Sequence, residues 1–193
     1  MHFKTSGISY FLAMYGPVIE GKLVSLRPPK PEDAAVMITW FEDLEITRFI
    51  LLRFPPSIGQ EIEWLDRMAK SPDDIFWVVE KDGRAVGATA IHEIDWKNGS
   101  GKTGTTIGDR SLWGKGIGRE VMRLRCSFAF TQLPLRKLKS AYFDGNEASA
   151  RAQAAAGYRE VGRYRADQFI DGQWVDQVVT EVLREDWQKS QGA

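Results

Sequence analysis

The 193-residue chain is poor in several of the side chains on which protein chemistry often depends. It has one cysteine, Cys126, so no disulfide can form within the chain. Its two histidines, His2 and His92, are too few for a metal-ligand cluster, and no metal is expected. Neither sign of charge is in excess: 26 Lys and Arg balance 26 Asp and Glu, which removes any global attraction to nucleic acid or to an anionic membrane. Long apolar runs are also missing. The stretch from Ile8 to Met14 is far shorter than the ~20 residues of a membrane span and lacks the apolar core of a secretory signal, so a cytoplasmic location is the expectation. What remains, 43% hydrophobic and 27% charged residues, suits one well-buried α/β domain. Residues 1–16 read as an N-terminal extension and 17–193 as that domain.

Leu23 to Arg27 alternates like a strand. Pro28 and Pro31 break it, and Glu32-Asp33 open a helical pattern carrying Ala35, Met37, Ile38, Trp40 and Phe41. After Pro55-Pro56, Glu61 to Met68 reads as a second helix. Three antiparallel strands follow: Ile75 to Lys81, Ala85 to Trp96 and Thr103 to Gly108, with Asp82-Gly83 and Asn98-Gly99 as the hairpin turns. Ile117, Val121, Leu124 and Phe128 then lie on one face of an amphipathic helix. A strand over Lys137 to Phe143, an alanine-rich helix over Glu147 to Ala156 and two late strands, Tyr158 to Tyr164 and Gln177 to Leu183, complete the pattern.

Between the third strand and the amphipathic helix stands Trp113-Gly114-Lys115-Gly116-Ile117-Gly118-Arg119. Alternating glycines at a helix start expose a run of backbone amides and the positive end of the helix dipole, an arrangement suited to a phosphate or pyrophosphate. Two other phosphate motifs fail on spacing. Gly101-Lys102-Thr103 ends like a P-loop, but the first glycine it requires falls on Trp96 and a strand follows where a helix is needed. A dinucleotide fingerprint started at Gly114 or Gly116 puts its third glycine on Arg119 or Val121.

The order of strands, glycine loop, helix, strand and short helix resembles the GNAT superfamily of acetyl-CoA-dependent N-acetyltransferases, whose R/Q-x-x-G-x-G/A signature falls on Trp113 to Gly118. Trp-Gly-Lys-Gly, Leu26-Arg27-Pro28 with Glu32-Asp33-Ala34, and Asn146-x-x-Ser149 before Gly157-Tyr158 are similar to the branch of ribosomal-protein N-terminal acetyltransferases. The resemblance spans about Gly21 to Trp187. It implies an α/β (α+β) fold with a mostly antiparallel mixed sheet of about seven strands flanked by helices. It also implies acetyl-CoA as co-substrate, with the pyrophosphate on residues 113 to 119, the pantetheine arm along Thr105, Thr106 and Ile107, and Asn146 and Ser149 bonding to that arm. A homodimer is a frequent arrangement in this branch.

Acetyl transfer requires a neutral amine and a proton for the departing thiolate. The tyrosine that supplies this proton in many superfamily members is replaced here by Gln153, and the resemblance assigns the role to Ser149. For a base the candidates are Glu93, His92 and Asp109, with Glu93 taken first; strand alternation puts His92 and Glu93 on opposite faces. An α-amino group, titrating near about 8, needs less help than a lysine at about 10.4. The branch's later glutamate aligns with Gln168, so the resemblance does not carry a ribosomal substrate with it. A protein N-terminus, a polyamine and an amino-bearing small molecule stay open as acceptors. The missing tyrosine and glutamate also keep open a CoA-binding sensor or assembly module with little chemistry. Cys126, mid-helix, reads as core, and the seven tryptophans as core and cleft walls.

Overall fold

A computed structural model describes residues 15–50, 52 and 54–191; most of the expected extension, with Ile8 to Met14 and His2, lies outside them. Eight strands form one sheet: β1 (Ile19–Glu20), β2 (Ser25–Arg27), β3 (Ile75–Lys81), β4 (Arg84–Asp95), β5 (Ser100–Ile107), β6 (Lys137–Phe143), β7 (Arg159–Ile170) and β8 (Gln173–Leu183). The order across the sheet is β1-β2-β3-β4-β5-β6-β8-β7, and every pairing is antiparallel except β5 with β6. The expected count was about seven; the additional strand is the two-residue β1, too short to show alternation in sequence.

Helices cover both faces. On one face α1 (Asp33–Phe41) and α3 (Ile58–Lys70) pack Met37, Trp40 and Leu65 on Phe76, Val78 and Ala90, with the single-turn α2 (Leu44–Thr47) beside them. The opposite face carries α4 (Ile117–Gln132), whose Val121, Cys126 and Ala129 meet Trp77, Val79 and Ile91. Then come α5 (Glu147–Ala155) after β6 and α6 (Arg184–Gln191) after β8; Trp187 of α6 stacks on Phe130 at 5.6 Å. The start of α3 differs from the expected Glu61 because Ser57 and Gln60 form a capping box three residues earlier, each side chain meeting the other's backbone N–H. Among the described residues no helix is long and apolar enough to cross a membrane.

Tyr15 and Gly16 lie against the sheet. Tyr15 donates its hydroxyl to Leu65 O at 2.9 Å, and the Gly16 amide donates to Phe76 O at 3.1 Å. A Cβ on Gly16 would fall within 1.7 Å of the Trp77 indole, so only glycine admits the chain there.

The Leu26-Arg27-Pro28 and Glu32-Asp33-Ala34 segments are joined by one ion pair. Arg27 donates from Nη1 and Nη2 to Asp33 at 2.7 and 2.9 Å and from Nε to Glu80, tying β2 to the first turn of α1 and to β3. Burial alone would raise the Asp33 carboxyl, but the Arg27 guanidinium and the Lys30 amide outweigh it and hold the group below its usual value. Asp33 therefore binds fewer protons folded than unfolded within the acid range, and its contribution is present above about pH 4 and lost on further acidification. Asp33→Asn leaves the Arg27 charge buried without its bidentate partner and is expected to cost about 3 kcal/mol in urea denaturation at pH 7. The variant is also expected to lose less stability than the parent between about pH 5 and pH 2.

Candidate active site

The sheet forks between β5 and β6. Their parallel pairing lasts only from Ser100–Lys137 to Lys102–Lys139. At the next residue side-chain hydroxyls take over: Thr103 Oγ1 donates to Lys139 O at 3.0 Å and meets the Tyr158 hydroxyl at 3.0 Å, while Ser140 Oγ donates to Thr103 O at 3.2 Å. Beyond this point Gly104 to Ile107 have no strand partner on their β6 side. A cavity of about 890 Å³ fills the opening, large enough for a sizeable cofactor.

Every residue expected to hold a cofactor lines that cavity: Thr105, Thr106, Ile107, Trp113, Gly114, Lys115, Gly116, Ile117, Gly118, Arg119, Asn146 and Ser149. Gly114 and Gly116 have φ of 74° and 82°, and Gly116 is the N-cap of α4 with no side chain bonded to the first-turn amides. Those amides therefore face the cavity region unclaimed, at the positive end of a 16-residue helix. Trp113, which departs from the superfamily's usual Arg or Gln, has a mechanical role: its indole N–H donates to Ile107 O at 2.9 Å, pinning the loop to the end of β5. Lys115 and Arg119 are exposed beside the amides and add positive charge.

At the far wall Asn146 caps α5, its Oδ1 accepting from the Ser149 amide at 3.0 Å. Gln153, standing where a tyrosine was absent, is 2% exposed and fully bonded. Its Nε2 donates to Ala141 O at 3.1 Å and to Ser149 Oγ at 3.0 Å, and its Oε1 accepts from the Thr180 hydroxyl at 2.5 Å. A carbonyl can only accept, so Ala141 fixes which end of the Gln153 amide faces it. The second Nε2 hydrogen then points at Ser149 Oγ as a donor, and the Ser149 hydroxyl proton is left for the cavity.

The base candidates separate. Glu93 lines neither cavity; it sits at φ 47° in a bulge of β4, with its carboxylate 2.6 Å from Lys102 Nζ and 67% exposed. Asp109 caps the turn at Arg110–Leu112, accepting from the Ser111 amide at 2.9 Å, and its hydrogen bonds to Ser111 hold its carboxyl below the usual range. His92 lines a second cavity of about 170 Å³ on the α1 and α3 side, which shares Gly104, Thr105 and Thr106 with the first. In the bulge the Glu93 backbone amide and the His92 ring converge on one carboxylate, Asp74, at 3.1 and 3.0 Å, while the Glu93 side chain turns to Lys102.

The sequence reading missed Arg125. It is 1% exposed and lines the large cavity, with Nη1 donating to Thr89 Oγ1 at 2.6 Å, Gly104 O at 2.7 Å and Thr105 Oγ1 at 2.7 Å. A signal existed: Val121, Arg125 and Ala129 are four apart, so the arginine shares the buried stripe. Burial pushes the Cys126 thiol up, in keeping with a core residue. Among the described residues no three His, Cys, Asp or Glu come together as a metal site.

The family model of the acetyltransferase (GNAT) domain matches residues 24–159, and the chain belongs to that family. Its curated relatives include the probable N-acetyltransferase YjcK of Bacillus subtilis, 30% identical over 181 residues that cover 88% of this chain and 98% of the relative. The prophage-derived uncharacterized N-acetyltransferase YokL of the same organism is 25% identical over 172 residues, covering 89% and 96%. Among solved structures, the spermidine N-acetyltransferase of Vibrio cholerae in complex with CoA and spermine superposes with a TM-score of 0.80 at 19% identity, covering 87% and 99% of the two chains. Mycobacterium smegmatis RimJ in complex with CoA-disulfide gives 0.74 at 22%, covering 84% and 83%.

Gln153→Leu leaves the buried Thr180 hydroxyl, and the Ala141 carbonyl, without their partner. A loss of about 1–3 kcal/mol is expected in urea denaturation.

Proposed function

We propose that the protein transfers the acetyl group of acetyl-CoA to a primary amine by direct attack, with no covalent enzyme intermediate. The observation that carries this reading is the fork: one cavity joins an unpaired strand edge on β5 to the unclaimed amides at the start of α4. Those amides, with Lys115 and Arg119, suit a pyrophosphate, and the β5 edge offers N–H and C=O groups to an extended amide-bearing arm. Acetyl-CoA supplies the acetyl group as a thioester, a carbonyl activated by a good leaving group.

The chain's own groups do the rest. An amide of β5 beside Thr105 and Thr106 donates to the developing oxyanion. Ser149 holds a proton for the departing sulfur, since Gln153 already donates to its oxygen and leaves its O–H free to turn outward. Asn146 keeps Ser149 in place by capping α5 and offers its amide to the arm. The membership of the chain in an acetyltransferase family and the CoA seen in the Vibrio cholerae relative's complex support this reading.

Calorimetry with CoA and thiol release from acetyl-CoA over a broad panel of amines and peptides test it. Binding without turnover on any acceptor would instead favour a CoA-binding module. Gly116→Val forces a β-branched residue into the left-handed region and places methyls among the amides; CoA affinity is expected to fall at least about ten-fold. Ser149→Ala is expected to lower kcat about 100-fold with the KM for acetyl-CoA little changed.

A further inference from the structure

The second cavity has a chemistry of its own. Its walls are aromatic and apolar: Met37, Trp40 and Phe41 from α1, Trp64 from α3 and Phe76 from β3. Trp64 and Phe76 meet edge to face at 5.0 Å, which makes that side a stiff apolar wall. The floor is Gly104 to Thr106 of β5, the same backbone that borders the large cavity from the fork side. A group lying in the small cavity thus reaches the strand along which the thioester is placed by the reading above, on which this inference rests. His92 is the one titratable side chain in the lining, and no carboxylate lines it among the described residues.

The orientation of His92 is fixed from behind. Its Nδ1 lies 3.0 Å from Asp74 Oδ1, and Asp74 also accepts from the Ser71 hydroxyl at 2.5 Å and the Glu93 amide at 3.1 Å. Burial would raise the Asp74 carboxyl, but these three donors outweigh it and keep the group ionised. An ionised carboxylate can only accept, so Nδ1 carries the ring proton. In the neutral ring Nε2 is then the free acceptor. The arrangement matches the logic by which a carboxylate behind a histidine sets its tautomer for proton abstraction.

We propose that the second cavity takes a primary monoamine with an aromatic or otherwise apolar body, and that His92, oriented by Asp74, is the group that receives the proton from the attacking nitrogen. The step balances over a turnover: the nitrogen–carbon bond forms at the thioester carbon and the carbon–sulfur bond then breaks, the nitrogen's proton passes to His92 Nε2, the thiolate takes the hydroxyl proton of Ser149, and solvent returns a proton to the Ser149 oxygen as it removes one from His92. Apolar walls stabilise the body of such an amine by burial, whereas the second ammonium of a polyamine finds no carboxylate there. The spermine-bound Vibrio cholerae structure therefore shares the fold with this chain while the acceptor chemistry differs.

The test measures acetyl transfer by the whole chain to 2-phenylethylamine, spermidine and a short peptide with a free N-terminus, with CoA binding followed in parallel. 2-Phenylethylamine is expected to exceed spermidine in kcat/KM by at least about ten-fold. His92→Ala is expected to lower kcat about 100-fold while CoA affinity stays at the parent value, and added imidazole is expected to restore part of the rate. Asp74→Asn, which lets the ring adopt the other tautomer, is expected to lower kcat about ten-fold or more with little change in the KM for acetyl-CoA. Rescue by imidazole is a response that a merely structural histidine would not give. Preference for spermidine, or a His92→Ala variant at the parent rate, overturns this assignment and leaves acetyl transfer standing. Silence toward every amine by a protein that binds CoA overturns the transfer reading itself.

Discussion

The site depends on the interruption of one strand pairing. β5 and β6 start as ordinary parallel neighbours and part after three residue pairs. Parallel strands that run on together would close the sheet and leave no cavity. The separation is held by Thr103, whose oxygen atoms are bonded to the Lys139 carbonyl, the Tyr158 phenol and the Ser140 hydroxyl, so the ladder ends in satisfied side-chain bonds and no backbone group at the fork is abandoned. Burial pushes the Tyr158 phenol well up, so this bolt remains protonated at any ordinary pH. Past it, β5 presents an open edge to the large cavity, and its continuation leads into the glycine loop.

The two cavities divide the chemistry between the sides of β5. On the fork side main-chain amides, small hydroxyls and basic side chains stand among apolar ones such as Phe49, Met122 and Phe143; on the α1 and α3 side aromatic and aliphatic walls surround one imidazole. Gly108, just after β5, shows how closely the two are packed: a Cβ there would fall 2.1 Å from the Trp40 ring, so the aromatic wall of the small cavity is pressed directly against the backbone leaving β5.

Much of this was legible in the sequence where local physics decides it. The glycine loop at the start of an amphipathic helix and the Asn98-Gly99 turn follow from backbone freedom, and the structure shows those elements in place. The rest depended on tertiary context. β7 was expected to end at Tyr164 but runs to Ile170, because two bulges and Ala166 at φ 49° break its alternation without breaking its pairing to β8. The bulge at Glu93 likewise leaves no periodic signal, and its backbone amide joins the His92 ring on Asp74. α2 has four residues, too few for any periodic signal, yet its Glu45 and Ile46 border the large cavity. Gln153 looked like a missing acid; only its three partners reveal that it sets the direction of the Ser149 hydroxyl.

Arg125 has a consequence of a different kind. Its guanidinium is buried with hydroxyl and carbonyl partners, no carboxylate lies within ion-pair distance among the described residues, and its Nε has no partner at all. Burying a charge in this way is unfavourable, and well-packed apolar replacements of buried charges are commonly neutral or stabilising. The core under α4 is therefore not arranged for maximal stability. It holds a permanent positive potential against the very stretch of β5 that borders both cavities, and a sequence optimised only to melt at higher temperature would discard it, leaving the same fold around an electrically neutral fork.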